Sequence, residues 1–306
     1  MDTVKYLRIS ATTMCNADCW YCFNEGQPFD YSTLNDVEGF TWFIKTMVSD
    51  YGTELIRFTG GEPLENPHIF DLIRIAKDTG IKKLGLTTNG ILISKYANQL
   101  DKSGIDNYAV HLYQIDEPRL INPAKIRGLM DMLGVTLKNV RFNIVLTRQN
   151  MIYVVEIIKY AIEKKHNLLI LDLLQAGTTD LDFESCHCPI TDIIEFLHKF
   201  DLEETFENTN SRAFRNDKVS IKLVQHYANY QKRCSYCTRE LQYNPILITP
   251  NFDLSGCTHF GKQYFSVSDA IKNRDSYKLH KVVMDLKAYI SKCDECVQKV
   301  VLMDNK

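Results

Sequence analysis

Residues 6–22 read YLRISATTMCNADCWYC. The stretch opens on a short β-branched run, residues 6–12, which has the pattern of a strand. It passes directly into Cys15, Cys19 and Cys22, a CxxxCxxC spacing with Tyr21 ahead of the last cysteine. Three thiolates so spaced can hold three irons of a [4Fe–4S] cube and leave the fourth iron without a protein ligand. An open iron is a place for a small molecule, so the motif points to chemistry and not only to structural support. The plainer alternatives fit less well. A structural zinc wants four ligands, and Asn16, Ala17 and Asp18 supply no good fourth. Disulfide pairing leaves one of three cysteines over, and MDTVKYLRIS has neither the basic nor the apolar region of a secretory signal.

Outward from this stretch, the chain settles into a rhythm. Residues 32–49 carry helical periodicity, with Leu34, Val37, Phe40, Phe43, Ile44, Met47 and Val48 on one face. Residues 54–59, ELIRFT, read as a second strand ending in Gly60, Gly61, Glu62 and Pro63. A backbone without side chains at such a turn can approach a ligand closely. A bare strand-to-helix loop is the alternative for GGEP taken alone. Strands are further expected at 83–87, 108–112, Val140–Leu146 and 168–173, with helices between them, 68–79 and 151–165 included. Alternating strands and helices imply a parallel sheet with right-handed crossovers. Ligands of such sheets sit at the carboxyl ends of the strands. The cysteine loop, GGEP, Thr88–Asn89 and Arg148 all fall there.

CxxxCxxC after a first strand and GGEP after a second resemble the radical S-adenosylmethionine (SAM) superfamily. YLRISATTMCNADCWYC, FTGGEPL, LTTNGILI and FNIVLTRQN follow one another much as in its MoaA-like GTP cyclases. The resemblance implies an α/β fold: a partial (β/α)6 TIM-like barrel over residues 1–180, then a small C-terminal twitch-type auxiliary cluster domain over 181–306. It implies an enzyme whose reduced cluster cleaves SAM to a 5′-deoxyadenosyl radical, which takes a hydrogen atom from the substrate. By the same resemblance Cys15, Cys19 and Cys22 ligate the cluster. Gly60, Gly61, Glu62 and Pro63, with Thr88, Asn89 and Asn143, belong to the SAM site, and backbone beside Tyr21 and Phe23 contacts adenine. A flavodoxin- or ferredoxin-type donor supplies the electron.

Five more cysteines stand in the last quarter: Cys234 and Cys237 in CSYC, Cys257 after PILITP, and Cys293 and Cys296 in CDEC. A zinc site is the plain reading. The segment CSYCTRELQYNPILITPNFDLSGC instead resembles the C-terminal part of MoaA-like enzymes, which implies a second, auxiliary [4Fe–4S] cluster. One ligand set is Cys237, Cys257, Cys293 and Cys296, as in the twitch domain of the radical SAM dehydrogenase of aminocyclitol antibiotic synthesis. The other is Cys234, Cys237 and Cys257. The four-thiolate set is preferred because thiolate is the favoured ligand of such clusters. It would act as an electron acceptor or relay, whereas a three-thiolate cluster can hold substrate directly.

The sequence also departs from that family. Arg239 keeps the first of two arginine positions after CSYC, but Leu241 occupies the second. The end reads VLMDNK in place of Gly-Gly, and His111, Leu112 and Tyr113 stand where Ser-Leu-Asp is usual. These changes speak against GTP cyclisation itself. Arg8 and Arg239 are expected to pair with an anionic group of the substrate, and His111 and Tyr113 to lie beside it. Cys186 and Cys188 flank His187, and neighbouring side chains diverge too far to grip one metal. Chance cysteines in a linker are the plain reading; the functional one makes Cys186, Cys188 or Cys234 a thiol hydrogen-atom donor.

Composition bounds the rest. A chain of 306 residues buries about 75% of its unfolded surface, enough for a sizeable core. A net charge of −2 with no long basic run argues against a nucleic-acid partner, and no apolar stretch reaches the ~20 residues that span a membrane. Ten cysteines without a signal fit a reducing cytoplasm. The two functions that remain are hydrogen abstraction from a nucleotide- or sugar-like small molecule in natural-product or cofactor synthesis, and modification of a ribosomal peptide by epimerisation or crosslinking. A non-catalytic electron carrier would leave GGEP and TTNG without a purpose.

Overall fold

The computed structural model describes residues 3–112, 123–174, 180–208, 211–224, 245–256 and 263–292. Strands and helices alternate from the start: β1 (Tyr6–Ser10), α1 (Val37–Tyr51), β2 (Leu55–Thr59), α2 (Ile69–Asp78), β3 (Lys83–Thr88), α3 (Ile93–Lys102), β4 (Asn107–His111), α4 (Pro123–Thr136), β5 (Val140–Leu146), α5 (Met151–Lys164) and β6 (Asn167–Asp172). The six strands lie side by side in chain order, every neighbouring pair parallel. This is the expected partial (β/α)6 barrel, with strand ends within two residues of those read from the sequence. The first helix starts later than its apolar spacing suggests. Ser32 and Thr33 lie beside Thr12, whose hydroxyl donates to Ser32 O at 2.9 Å. The helix begins only where the Asp36 carboxylate accepts from Gly39 N at 2.7 Å. Leu34 is fully buried by the loop itself, which is why it mimics a helical position.

The sheet continues at both edges. After α6 (Asp180–Cys186) and α7 (Thr191–Leu197) come β7 (Glu203–Asn208), β8 (Ser211–Arg215) and β9 (Ser220–Val224). β9 pairs in parallel with β6 and carries β8 and β7 antiparallel. Next are β10 (Ile246–Ile248), β11 (Asp253–Ser255) and β12 (Phe265–Ser266), then α8 (Ser268–Asn273) and α9 (Ser276–Lys292). β10, inside the strand-like PILITP, pairs in parallel with β1 and carries β11 and β12. Among the described residues the result is one twelve-stranded sheet in which both edges of the open barrel are paired rather than exposed. β7–β9 lie beyond the expected strands, though Val219, Ile221 and Leu223 alternate with polar residues into and along β9. Among the described residues no helix is long and apolar enough to cross a membrane.

Each strand divides its side chains between two faces. Leu7, Ile9, Ile56 and Phe58 are completely buried on the helix side, where the Phe58 ring meets Phe40 of α1 at 6.3 Å. The opposite, inner face carries Arg8, Arg57, Gly85 and Asn107 in one row, set by the register Arg8↔Arg57, Arg57↔Gly85 and Gly85↔Asn107. Gly85 is the device that makes the row possible: a Cβ there would sit 2.7 Å from the Arg57 guanidinium carbon. Arg57 lies across that gap and donates to Asn107 Oδ1 and, at 3.4 Å, to Leu86 O.

One buried side chain ties the loops at the ligand end. Asn66 donates to Ala11 O at 2.7 Å and to Leu34 O at 3.1 Å, and accepts from His68 N at 2.7 Å. Removing it orphans Leu34 O and His68 N, while Ala11 O keeps the bond from Leu34 N at 2.9 Å. Asn66→Ala is expected to cost about 2–4 kcal/mol, read as a lowered midpoint in thermal unfolding; a shift below about 2 °C would contradict the assignment.

Candidate active site

The GGEP loop sits on the chain that leads to the first cysteine. Gly61 N donates to Thr12 O at 2.8 Å and Glu62 N to Met14 O at 2.7 Å. Two glycines are needed because there is no room for anything larger. A Cβ at Gly60 would lie 2.2 Å from Thr12 O, and one at Gly61 2.1 Å from Met14 O. Gly60 also has φ +138°, open to glycine and strained for other residues. Glu62 is fully buried. Its carboxylate accepts from Leu64 N (3.1 Å), Thr88 Oγ1 (2.8 Å) and Asn89 N (2.7 Å). Burial pushes this carboxyl up to about 7 while those three donors pull it back down. The three donors favour the ionised form, but burial outweighs them in the net shift. Glu62 therefore cross-links the end of β2 to the end of β3.

Asn89 extends the link to the cysteines. Its amide donates to Asn16 Oδ1 at 2.8 Å and lies 3.6 Å from Cys15 Sγ. Cys15 and Cys22 are exposed and Cys19 is partly so. Ala17 N and Asn24 N point at the sulfurs of Cys15 and Cys22, each at 3.4 Å. These are donors that favour thiolate over thiol. As free thiols the three resist ionisation: burial raises Cys15 and Cys22, and burial with the neighbouring Cys22 and Cys15 pushes Cys19 up to about 12. Iron binding would displace those protons. Among the described residues no three Cys, His, Asp or Glu side chains converge on one ion. A cube does not ask for that, since each thiolate takes a different iron. Exposed or part-exposed sulfurs, two of them with amide donors, beside a loop whose glycines let it pack directly onto the cysteine segment, fit a [4Fe–4S] cluster at Cys15, Cys19 and Cys22 with SAM against Gly60–Gly61–Glu62.

The inner face below is strongly basic. Arg8 gives both its Nε (3.3 Å) and Nη2 to Glu25, which also accepts from Thr59 Oγ1 at 3.0 Å. Burial opposes the charge on Arg8, but the Glu25 carboxylate outweighs it and holds the guanidinium protonated. Arg57 is lowered by burial, and Arg141 falls to about 10 through burial and the nearby Arg57. Arg141 Nε donates to Asn143 Oδ1 at 3.1 Å. An arginine only donates, so the Asn143 amide must present its Nδ2 to His111 Nε2, at 3.3 Å. His111 Nε2 is thus an acceptor and the ring proton sits on Nδ1. Burial, then Arg141, then Arg8 hold the imidazole neutral, down at about 4, against the pull of Glu25. Arg57 and Arg141 are functional candidates that sequence reasoning misses, although a charge at an inward position of a strand such as LIRFT is an available signal.

The remaining expected residues divide. Cys186 is fully buried. Its sulfur accepts from Gln149 Nε2 at 3.0 Å, and it packs with Leu173 and Phe183 against Trp20 and Tyr21 of the cysteine loop. Cys188 is buried in the main core, and burial pushes its thiol up to about 11. Arg148 holds the segment between them, its backbone N–H donating to Cys186 O (2.7 Å) and its Nη2 to His187 O (3.2 Å). Tyr113, Cys234, Cys237, Arg239, Cys257, Cys293 and Cys296 lie outside the described residues.

Two outcomes follow from this geometry. Gly61→Ala is expected to destabilise by about 2–3 kcal/mol and to lower the iron bound per chain; wild-type iron content in that variant would contradict the docking of the loop. His111 has a folded value below its ordinary one. Its neutral form therefore contributes stability that is complete above pH 6.5 and is lost as pH falls toward 4, at most about 3 kcal/mol. His111→Gln should flatten the fall of thermal midpoint with acid across that window, and parallel curves would contradict the assignment.

A family model described as the radical SAM superfamily matches residues 9–182. Among curated relatives, the probable GTP 3′,8-cyclase of Methanococcus aeolicus is 30% identical over 257 residues, 80% of this chain and 84% of its own. That of Sulfurisphaera tokodaii is 28% identical over 280 residues, 88% of this chain and 86% of its own. Among solved structures, Streptococcus suis SuiB bound to precursor peptide SuiA superposes with TM-score 0.62 at 16% identity, covering 95% of this chain and 67% of that one. The structure of anSMEcpe with bound AdoMet superposes with TM-score 0.57 at 15% identity, covering 97% and 95%. At such identities the two structures speak to the fold alone. With its cysteine loop, its glycine cradle and a family match across more than half its length, the chain belongs to the radical SAM superfamily, as a MoaA-like enzyme that uses a [4Fe–4S] cluster and SAM.

Proposed function

We propose that this enzyme directs its radical at a small anionic substrate of the nucleotide class, held on the inner face of the barrel. The observation that carries the reading is charge: Arg8, Arg57 and Arg141 influence one another across that face, and Glu25 is ion-paired to Arg8 there. Guanidinium groups left in excess of carboxylate suit a phosphate, which they grip through paired N–H donors. Relatives named GTP 3′,8-cyclase along most of the chain support the same class. Arg8 is committed to Glu25, which leaves Arg57 and Arg141 as the described groups for a substrate anion. A peptide backbone would leave that charge unanswered.

A [4Fe–4S] cluster held by Cys15, Cys19 and Cys22, with SAM against Gly60–Gly61–Glu62, would supply reductive SAM cleavage and hydrogen-atom abstraction from the substrate. The protein's own part is to dock the GGEP backbone beside the cysteines, to keep His111 a neutral donor through Asn143, and to hold the anion with Arg57 and Arg141. We assign the C-terminal cysteines to an auxiliary [4Fe–4S] cluster, with Cys237, Cys257, Cys293 and Cys296 the preferred ligands. A flavodoxin- or ferredoxin-type protein in a reducing cytoplasm is the donor this chemistry requires.

The test is anaerobic turnover of the reconstituted enzyme with SAM, dithionite and a panel of ribose-deuterated nucleoside triphosphates and sugar nucleotides. At least one should raise 5′-deoxyadenosine release and deliver deuterium into it; none doing so would remove the nucleotide class. Arg141→Gln should raise KM for that substrate by about ten- to hundred-fold with a smaller change in kcat.

A further inference from the structure

The turn that follows the third cysteine is strained. Asn24, Glu25 and Gly26 stand in succession at φ 49°, 47° and 80°. For the two residues that are not glycine, the left-handed region costs about 1–2 kcal/mol each. Such a turn persists only when its surroundings hold it. Part of the hold is local: the Asn24 amide donates to Pro28 O at 3.0 Å and to Gln27 O at 3.4 Å. A further hold comes from Tyr264, whose hydroxyl donates to Gly26 O at 2.9 Å.

The remaining hold reaches into the barrel. Glu25 turns its carboxylate back onto the inner face, and both oxygens are engaged. Oε2 accepts from Arg8 Nε at 3.3 Å; Oε1 accepts from Arg8 Nη2 and, at 3.0 Å, from Thr59 Oγ1. Arg8 and Glu25 are both mostly buried, their side chains 19% and 18% exposed, and Thr59 is fully so. Thr59 is the last residue of β2 and is followed directly by Gly60. One carboxylate thus joins the cysteine loop to the strand that delivers GGEP.

We propose that Glu25 is a positioning residue for SAM cleavage: through Arg8 and Thr59 it sets the turn behind Cys22 in register with the GGEP loop. Arg8 then serves this tie and does not meet the substrate anion. The inference rests on SAM cleavage alone, so it stands or falls independently of the nucleotide reading.

Substrate-free cleavage of SAM by the reconstituted holoenzyme tests it. Glu25→Gln keeps the shape and loses the charge; Glu25→Gly relieves the backbone and loses the carboxylate. Both are expected to keep wild-type iron content and circular dichroism, and both should lose about ten- to hundred-fold in kcat/KM for SAM. The change that SAM induces in the electron paramagnetic resonance spectrum of the reduced cluster should weaken in step. Arg8→Gln should match Glu25→Gln, and the double variant should lose no more than either single one. Glu25→Gly at the wild-type rate would overturn the proposal, because the backbone would then be all that matters. Iron content falling in proportion to activity in both variants would also overturn it, because Glu25 would then serve only to retain the cluster.

Discussion

Two backbone hydrogen bonds carry the rest of the site: Gly61 N to Thr12 O and Glu62 N to Met14 O. They join the end of β2 to the segment entering the cysteine loop, and they form only because the glycine positions have no Cβ to meet the carbonyls of Thr12 and Met14. Everything that must be mutually placed for SAM chemistry hangs from this contact. On one side are three sulfurs, those of Cys15 and Cys22 exposed and each with an amide donor aimed at it. On the other is Glu62, whose carboxylate fixes Thr88 and Asn89. Asn89 then returns to Asn16, which closes a circuit across β1, β2 and β3.

Much of this circuit is legible in the amino-acid sequence. CxxxCxxC, GGEP and TTNG are local signals, and each falls on a strand-to-helix loop because period-2 and period-3.6 apolar patterns alternate around it. The six barrel strands are readable for the same reason. Features that depend on register between distant segments are not. Arg57 looks ordinary in LIRFT until Gly85 and Asn107 are set beside it. Glu25 has no signature at all, since its role arises from a left-handed turn that brings a carboxylate back to Arg8. Asn66 is a loop residue in the sequence and a buried three-way tie in the fold. β7–β9 are harder to read because their runs are short and half polar, although Val219, Ile221 and Leu223 alternate and bury one face of β9 in the main core.

The inner face shows how a single sheet can serve two tasks. Toward the helices the strands present Leu7, Ile9, Ile56 and Phe58, which bury apolar area and stabilise the barrel. Toward the centre they present arginines whose charge burial disfavours. That cost is a sign of use, because apolar residues would pack there with less penalty. Glu25 answers one of the guanidiniums and in doing so ties down the cluster loop. The charge that is left, beside a histidine fixed in one tautomer, is the part of the molecule that selects what is bound.

The central claim is that Cys15, Cys19 and Cys22 hold a cluster that cleaves SAM. It is tested most directly by anaerobic reconstitution with iron and sulfide, followed by SAM and dithionite, comparing wild type with Cys15→Ala. The wild type should yield 5′-deoxyadenosine and methionine, and the variant none above background. Equal release of 5′-deoxyadenosine by both would contradict the claim.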